Sequence, residues 1–144
     1  MRWRKHVLSV LVLTVFALLG AGSLKTDKEK AEEDKKVENE AASVTVTSQQ
    51  IFSDYEANEV SADDKYKDKV VAVSGEVTGI EKNPITDAMY IKLATSNQFI
   101  SVDAYFSDSH KEDLKKAKKG DRVTLKCRCK GMVLSVQLES CGFN

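Results

Sequence analysis

A mainly β domain, a small closed barrel of five strands, is what the sequence predicts. Two patterns carry that expectation. Five short segments after residue 70 alternate apolar and polar residues with period two. Two helical patterns punctuate them, one before the first strand and one between the third and fourth.

The leading helix is announced by Thr47-Ser48-Gln49-Gln50, with Thr at a cap position and Gln three residues later, as in a capping box. Ile51, Phe52 and Tyr55 follow at helical spacing, and Asn58 to Lys69 is polar apart from Tyr66 and a few small apolar residues. Tyr55 and Tyr66 are expected to pack this helix across one barrel end. The first strand is Val70 to Val77, where Gly75 is expected to mark a bulge or bend. Asn83-Pro84 lies in the turn that follows. The second strand, Ala88 to Ala94, sends Met89, Ile91 and Leu93 to one face, and Thr95-Ser96-Asn97 is the turn after it. The third, Gln98 to Phe106, sends Ile100, Val102, Ala104 and Phe106 inward. Ser107 to Gly120 reads as a helix with a capping box at Ser109 and Glu112 and a stop at Gly120. The fourth strand, Arg122 to Cys129, directs Val123, Leu125, Cys127 and Cys129 inward. Lys130-Gly131 suits a tight hairpin turn. The last strand, Met132 to Leu138, directs Met132, Leu134, Val136 and Leu138 inward. Three strands, one helix and two strands is the order of an OB-type barrel.

Two segments precede this domain, which is expected over residues 44–144. Residues 1–22 carry Arg2, Arg4 and Lys5, then an apolar run from Val7 to Leu19, then Gly20-Ala21-Gly22-Ser23. That order is that of a secretory signal peptide, with an uncleaved membrane anchor as the alternative. The run of 16 residues from Val7 to Gly22 is short of the ~20 that span a bilayer comfortably. The expected address is therefore export: periplasmic, extracellular or membrane-anchored. Residues 23–43 read as a charged flexible linker. Lys25 to Glu40 holds five Lys, seven Asp or Glu and a single Val, too little apolar surface to offset its ordering entropy; a transient helix is the alternative, since Glu, Lys and Ala favour helices and i,i+4 pairs exist.

Function classes narrow by exclusion. The chain has 22 basic and 22 acidic residues, and fourteen against fifteen from Val44 onward. Such a domain lacks the positive field that drives non-specific phosphate binding. No His-Glu-x-x-His, Gly-x-Ser-x-Gly, P-loop or dinucleotide fingerprint occurs, so neither catalysis nor a cofactor is expected. His6 falls in the targeting segment and His110 in a capping turn. Cys127, Cys129 and Cys141 lack a fourth ligand and metal spacing, so no metal site is expected. Neither Cys127 nor Cys129 is expected to bridge Cys141, because a turn at Lys130-Gly131 puts Cys141 at the far end of the hairpin, beyond the ~7 Å that a disulfide spans. Asp63, Asp64 and Asp103 read as solvated carboxylates.

What remains is a surface. OB barrels place ligands across the outer face of strands two and three. Alternation sends Tyr90, Lys92, Phe99, Ser101, Asp103 and Tyr105 outward there. Tyr90, Phe99 and Tyr105, with Lys92 at the edge, are the candidate ligand-binding residues, against the alternative of ordinary cross-strand pairing. Two classes of function are compatible with such a face. One is a binding or adaptor module of the cell envelope for a protein, peptide or glycan; the other is a single-stranded nucleic-acid binder. Export and neutral charge favour the first.

Several linked stretches resemble one family. They are Thr47 to Val60, Tyr66-Lys67-Asp68-Lys69-Val70-Val71, Val73-Ser74-Gly75-Glu76-Val77, Phe106-Ser107-Asp108, Lys118 to Thr124, Cys129-Lys130-Gly131 and Leu138-Glu139-Ser140-Cys141. Together they resemble the bacterial tRNA-anti-like OB-fold family from about Thr47 to Cys141. The resemblance implies an OB fold, often exported or lipid-anchored, with no established biochemical activity; the family name reflects likeness to anticodon-binding domains. The sequence departs from it in lacking a lipobox Cys, in carrying Ala104 where similar proteins often have Cys, and in an added Cys127.

Overall fold

A computed structural model describes residues 25–144. The predicted targeting segment, residues 1–22, lies outside the described residues. Among those described, no helix is long and apolar enough to cross a membrane.

The elements in order are α1 (Asp27–Asn39), β1 (Val44–Thr47), α2 (Ser48–Ala57), α3 (Glu59–Tyr66), β2 (Val70–Lys82), β3 (Met89–Leu93), β4 (Val102–Phe106), a 3-10 turn (Asp108–His110), α4 (Lys111–Leu114), β5 (Arg122–Met132) and β6 (Val136–Phe143). The strands run β1-β2-β3-β4-β6-β5, and β5 returns to pair with β2. Strands β2 to β6 therefore close a five-stranded OB-type barrel, with β1 outside it. All barrel pairings are antiparallel except β4 with β6. The first half of β2 pairs with β5 and its second half with β3. β1 adds in parallel along residues 71–74 and fills the edge that β3 does not reach.

The predicted alternation survives in the core. Ile91, Leu93, Val102, Ala104, Leu125, Cys127, Cys129, Val136 and Leu138 are fully buried and share one cluster. Thr47 caps α2, its side chain accepting from the Gln50 amide at 3.1 Å. Asn58 ends α2 and caps α3, so the leading helix is bent into two. Ile51, Phe52, Tyr55 and Tyr66 seal one end of the barrel, as expected of the two tyrosines. Each hydroxyl finds a carboxylate at that seal: Tyr55 donates to Asp63 at 3.1 Å and Tyr66 to Asp54 at 2.5 Å.

Asp54 also takes Gln50 Nε2 at 2.7 Å and Lys65 Nζ at 2.9 Å. The Tyr66 hydroxyl first, then Lys65, holds its carboxyl below the ordinary carboxylate range. A carboxylate with a depressed folded pKa adds stability above its unfolded value, about 3.9, and loses it as pH falls through the folded value. Asp54→Asn is therefore expected to be less stable than the parent at pH 7. Urea unfolding curves at pH 7 and about pH 2.5 check this: the gap between the two proteins closes in acid. A gap that stays constant with pH contradicts the assignment.

Several sequence expectations are corrected. The hairpin turn is not Lys130-Gly131. β5 continues through both to Met132, and the chain reverses at Val133–Ser135. Leu134, expected inside, is 87% exposed in that turn. The register slips where Cys127 alone on β5 faces two residues of β6, between Lys126↔Gly142 and Arg128↔Glu139. Ser140 takes up the extra residue with a left-handed backbone, φ 52°. This bulge places Cys141 beside Cys127, with Cα atoms 4.2 Å apart, and the two form a disulfide. The expectation that neither Cys127 nor Cys129 bridges Cys141 is thus wrong for Cys127. Cys129 is the free, buried thiol, 3.7 Å from the Tyr55 hydroxyl. The helix before β5 is only one turn after the 3-10 segment and has no side-chain cap. It stops at Leu114, well short of Gly120, which instead turns the chain into β5 at φ 91°.

The bend in β2 lies at Thr78, between the pairs Val77↔Leu93 and Gly79↔Lys92, and not at Gly75. Where a charged coil was expected, Asp27–Asn39 is the helix α1. Thr26 and Glu29 form a reciprocal capping box, and Val37 is 2% exposed. An isolated helix of this length is marginal in water; tertiary contacts with β5 and β6 supply what composition alone does not.

Candidate functional site

The outer face of β3 and β4 is built by cross-strand register. Tyr90 stands opposite Tyr105, and Lys92 opposite Asp103. The two tyrosine rings stack, centroids 4.9 Å apart and planes 26° apart, the geometry of a favourable offset aromatic pair. Both rings are half-buried.

Neighbouring strands wall this pair with carboxylates. Glu81 of β2 faces Tyr90 and accepts its hydroxyl at 2.8 Å. The same carboxylate holds Lys92 Nζ at 3.0 Å. That hydrogen bond from Lys92, followed by the one from Tyr90, lowers the Glu81 pKa. The reciprocal effect pushes the Tyr90 phenol up to about 12. Lys92 Nζ lies 5.9 Å from the Tyr90 ring centroid. Asp103 accepts from Ser101 Oγ at 2.5 Å and from Ser135 Oγ at 2.6 Å, and Ser135 in turn accepts from Gln137 at 2.6 Å. The Tyr105 phenol is raised by burial first, then by the charges of Asp103 and Glu139. Lys25, just ahead of α1, comes to 4.0 Å from Glu139.

Three of the four candidate residues are thus brought together: Tyr90, Lys92 and Tyr105. Phe99 is not with them. The third strand begins at Val102, not Gln98, because residues 95–101 fold into a turn. Asn97 Oδ1 accepts the Phe99 amide at 2.8 Å, while Thr95 Oγ1 bonds the carbonyls of Asn97 and Ile100. Phe99 is 87% exposed in that turn, beside a shallow depression lined by Glu56, Ser96, Asn97 and Gln98. The turn expected at Thr95-Ser96-Asn97 is there but runs on to Ser101, because the Asn97 side chain binds the backbone two residues ahead.

Sequence reasoning missed Glu81, Ser135, Gln137 and Glu139. Glu81 lies beyond the predicted end of the first strand, and the other three reach the face through the parallel pairing of β4 with β6. Among the described residues no group of three or more His, Cys, Asp or Glu is arranged to hold a metal ion.

The tRNA_anti-like family matches residues 1–141. No curated protein matches the chain. Among solved structures, the crystal structure of a "putative nucleic acid-binding lipoprotein" from Klebsiella pneumoniae subsp. pneumoniae is similar in fold. Its TM-score is 0.58 at 17% identity, covering 71% of this chain and 92% of that one.

Proposed function

We propose a binding role for this chain, which belongs to the tRNA_anti-like family. It is an OB-fold binding module, and our reading places it in the cell envelope, exported by its N-terminal segment and acting as an adaptor. The ligand lies across the outer face of β3 and β4, on the stacked Tyr90 and Tyr105, with Lys92 at the edge. Phe99, on its separate turn, contributes from the side.

One observation carries the choice of partner. Lys92 is already engaged by Glu81 with Asp103 opposite it, and Lys25 at the edge of the face lies 4.0 Å from Glu139. A phosphate chain placed here meets carboxylates and lysines already paired with them, whereas stacking and hydrogen bonding suit an uncharged peptide or glycan surface. The Klebsiella protein's description as nucleic acid-binding supports the second reading, a single-stranded nucleic-acid binder. Aromatic rings on a sheet stack bases without sequence preference.

Two measurements separate these readings. Fluorescence anisotropy with dT and rU 20-mers at about 0.15 M salt is expected to show no saturable binding. Cross-linking in envelope preparations is expected to capture a partner that Tyr90→Ala/Tyr105→Ala loses while keeping the parent's melting temperature. Phe99→Ala reports the contribution of the turn separately. Tight oligonucleotide binding that weakens steeply with salt overturns the envelope reading of this face. Recovery of an unprocessed full-length chain from the cytosol, by fractionation and N-terminal sequencing, overturns the address.

A further inference from the structure

A strip on the outer face of β5 and its neighbours β2 and β6 is already occupied. Val71 and Val73 point into the barrel, so Val70 and Ala72 point out. Their cross-strand partners, Arg128 and Lys126, point out on the same side. Yet Val70 and Ala72 are 0% and 3% exposed without belonging to the barrel's core cluster. α1 is the cover. Arg128 Nε meets the Glu33 carboxylate, and its Nη2 reaches Glu40 at 3.2 Å. Lys126 Nζ donates to the Glu38 carbonyl at 2.8 Å. Val37 is the one buried residue of α1.

We propose that this strip is a second docking surface, which takes an acidic helical segment of a partner in exchange for α1. The resident helix reveals the chemistry of the guest. Glu33 and Val37 stand at i and i+4 on one helical face, and Glu40, the cap just past the last turn, brings a second carboxylate to Arg128, so two carboxylates bracket one apolar side chain. The strip presents the complement, an arginine fork and a lysine around an apolar floor. The mode is an amphipathic helix laid against a surface.

The resident is also built to leave. A single buried side chain anchors it, and all its other residues except Glu33 and Asp34 are exposed. Only residues 40–43 join it to β1. Thirteen residues of mixed charge are too short to stay helical once undocked, so release clears the strip. In the parent chain the tether gives α1 a high effective concentration and the advantage over a weak free competitor. A phosphate polymer would use the cations and leave the apolar floor unfilled, which favours the acidic helix.

The test uses a fluorescein-labelled peptide of residues 25–43 and the purified chain carrying Val37→Asp. That substitution alters α1 alone and leaves the strip intact. The peptide is expected to bind Val37→Asp at least tenfold more tightly than the parent, and to lose saturable binding when Arg128→Gln is added. Glu33→Gln/Glu40→Gln is a second way to free the strip, used if Val37→Asp lowers the melting temperature of the barrel. Tyr90→Ala/Tyr105→Ala is expected to leave peptide binding unchanged, so failure of the tyrosine-face reading and failure of this one are told apart. Equal affinity of parent and both freed variants overturns the proposal. So does Arg128-dependent binding of a dT 20-mer or of phosphatidylglycerol vesicles by the freed variants without binding of the peptide.

Discussion

Breaking the Cys127–Cys141 bond is expected to cost about 3 kcal/mol of stability, the chain-entropy value for a closed loop of this size. The two cysteines are separated by 14 residues. For a domain of about 100 residues, a loss of that size lowers the melting temperature by on the order of 15 °C. Both sulfurs lie in the core, at 0% and 1% exposure, so a reductant reaches them only as the β5–β6 hairpin opens. Reduction is therefore expected to be slow in native buffer and fast above the melting transition. Urea unfolding of the oxidised chain, the dithiothreitol-reduced chain and Cys127→Ala/Cys141→Ala checks the magnitude. Non-reducing peptide mapping checks the pairing and is expected to find Cys129 free. Buried beside Tyr55, that thiol has a raised pKa, from burial above all, and is a poor nucleophile at neutral pH. Stability changes below about 1 kcal/mol, or a Cys129–Cys141 peptide, contradict this account. A disulfide of this weight also fits an oxidising compartment, which links the fold to the export proposed from the N-terminal sequence.

The disulfide shows where reading the chain locally succeeds and where it stops. Alternation identified the inward residues of β3 and β4 because both strands have one core face and one outer face. It also located the capping threonine of α2, since a cap is decided within four residues. The hairpin failed for a different reason. Lys130-Gly131 has the composition of a tight turn, yet the turn falls on Val133–Ser135, which has none of that chemistry. Ser140 adopts a left-handed backbone with no Gly or Asn to announce it. Each feature is imposed by barrel closure, which is a property of pairs far apart in sequence. The candidate site divides in the same way. Tyr90, Lys92 and Tyr105 follow from period two, but Ser135, Gln137 and Glu139 arrive through a parallel pairing that no local pattern encodes. α1 is the plainest case, because its docking depends on Arg128, some ninety residues away.

Gly75→Ala is the second substitution expected to have a large effect, and its cause is steric. A Cβ at residue 75 would fall well inside van der Waals contact of Ser48 Oγ, 3.1 Å from Ser48 Cβ and 3.2 Å from Leu93 Cβ. Leu93 is fully buried, and Ser48 is the first residue of α2. Ser48 Oγ donates to the Ala94 carbonyl at 2.5 Å, which ties the start of α2 to the end of β3. The methyl must displace Ser48, strain the leucine packing, or both. Overpacking of this kind costs about 1–3 kcal/mol, and loss of the hydrogen bond to the half-buried Ala94 carbonyl adds roughly 1. A destabilisation near 3 kcal/mol is expected, by urea unfolding. Packing and bulge formation predict different outcomes in a double-mutant cycle. If Gly75 serves close approach of α2, Ser48→Gly removes the obstructing side chain, and Gly75→Ala then costs less than in the parent, with a coupling above about 1 kcal/mol. If Gly75 served a backbone bend, the two substitutions would add independently. Among the described residues the left-handed glycines are Gly120 and Gly131, and Gly75 is not one of them, so coupling is the expected result and additivity would refute the packing account.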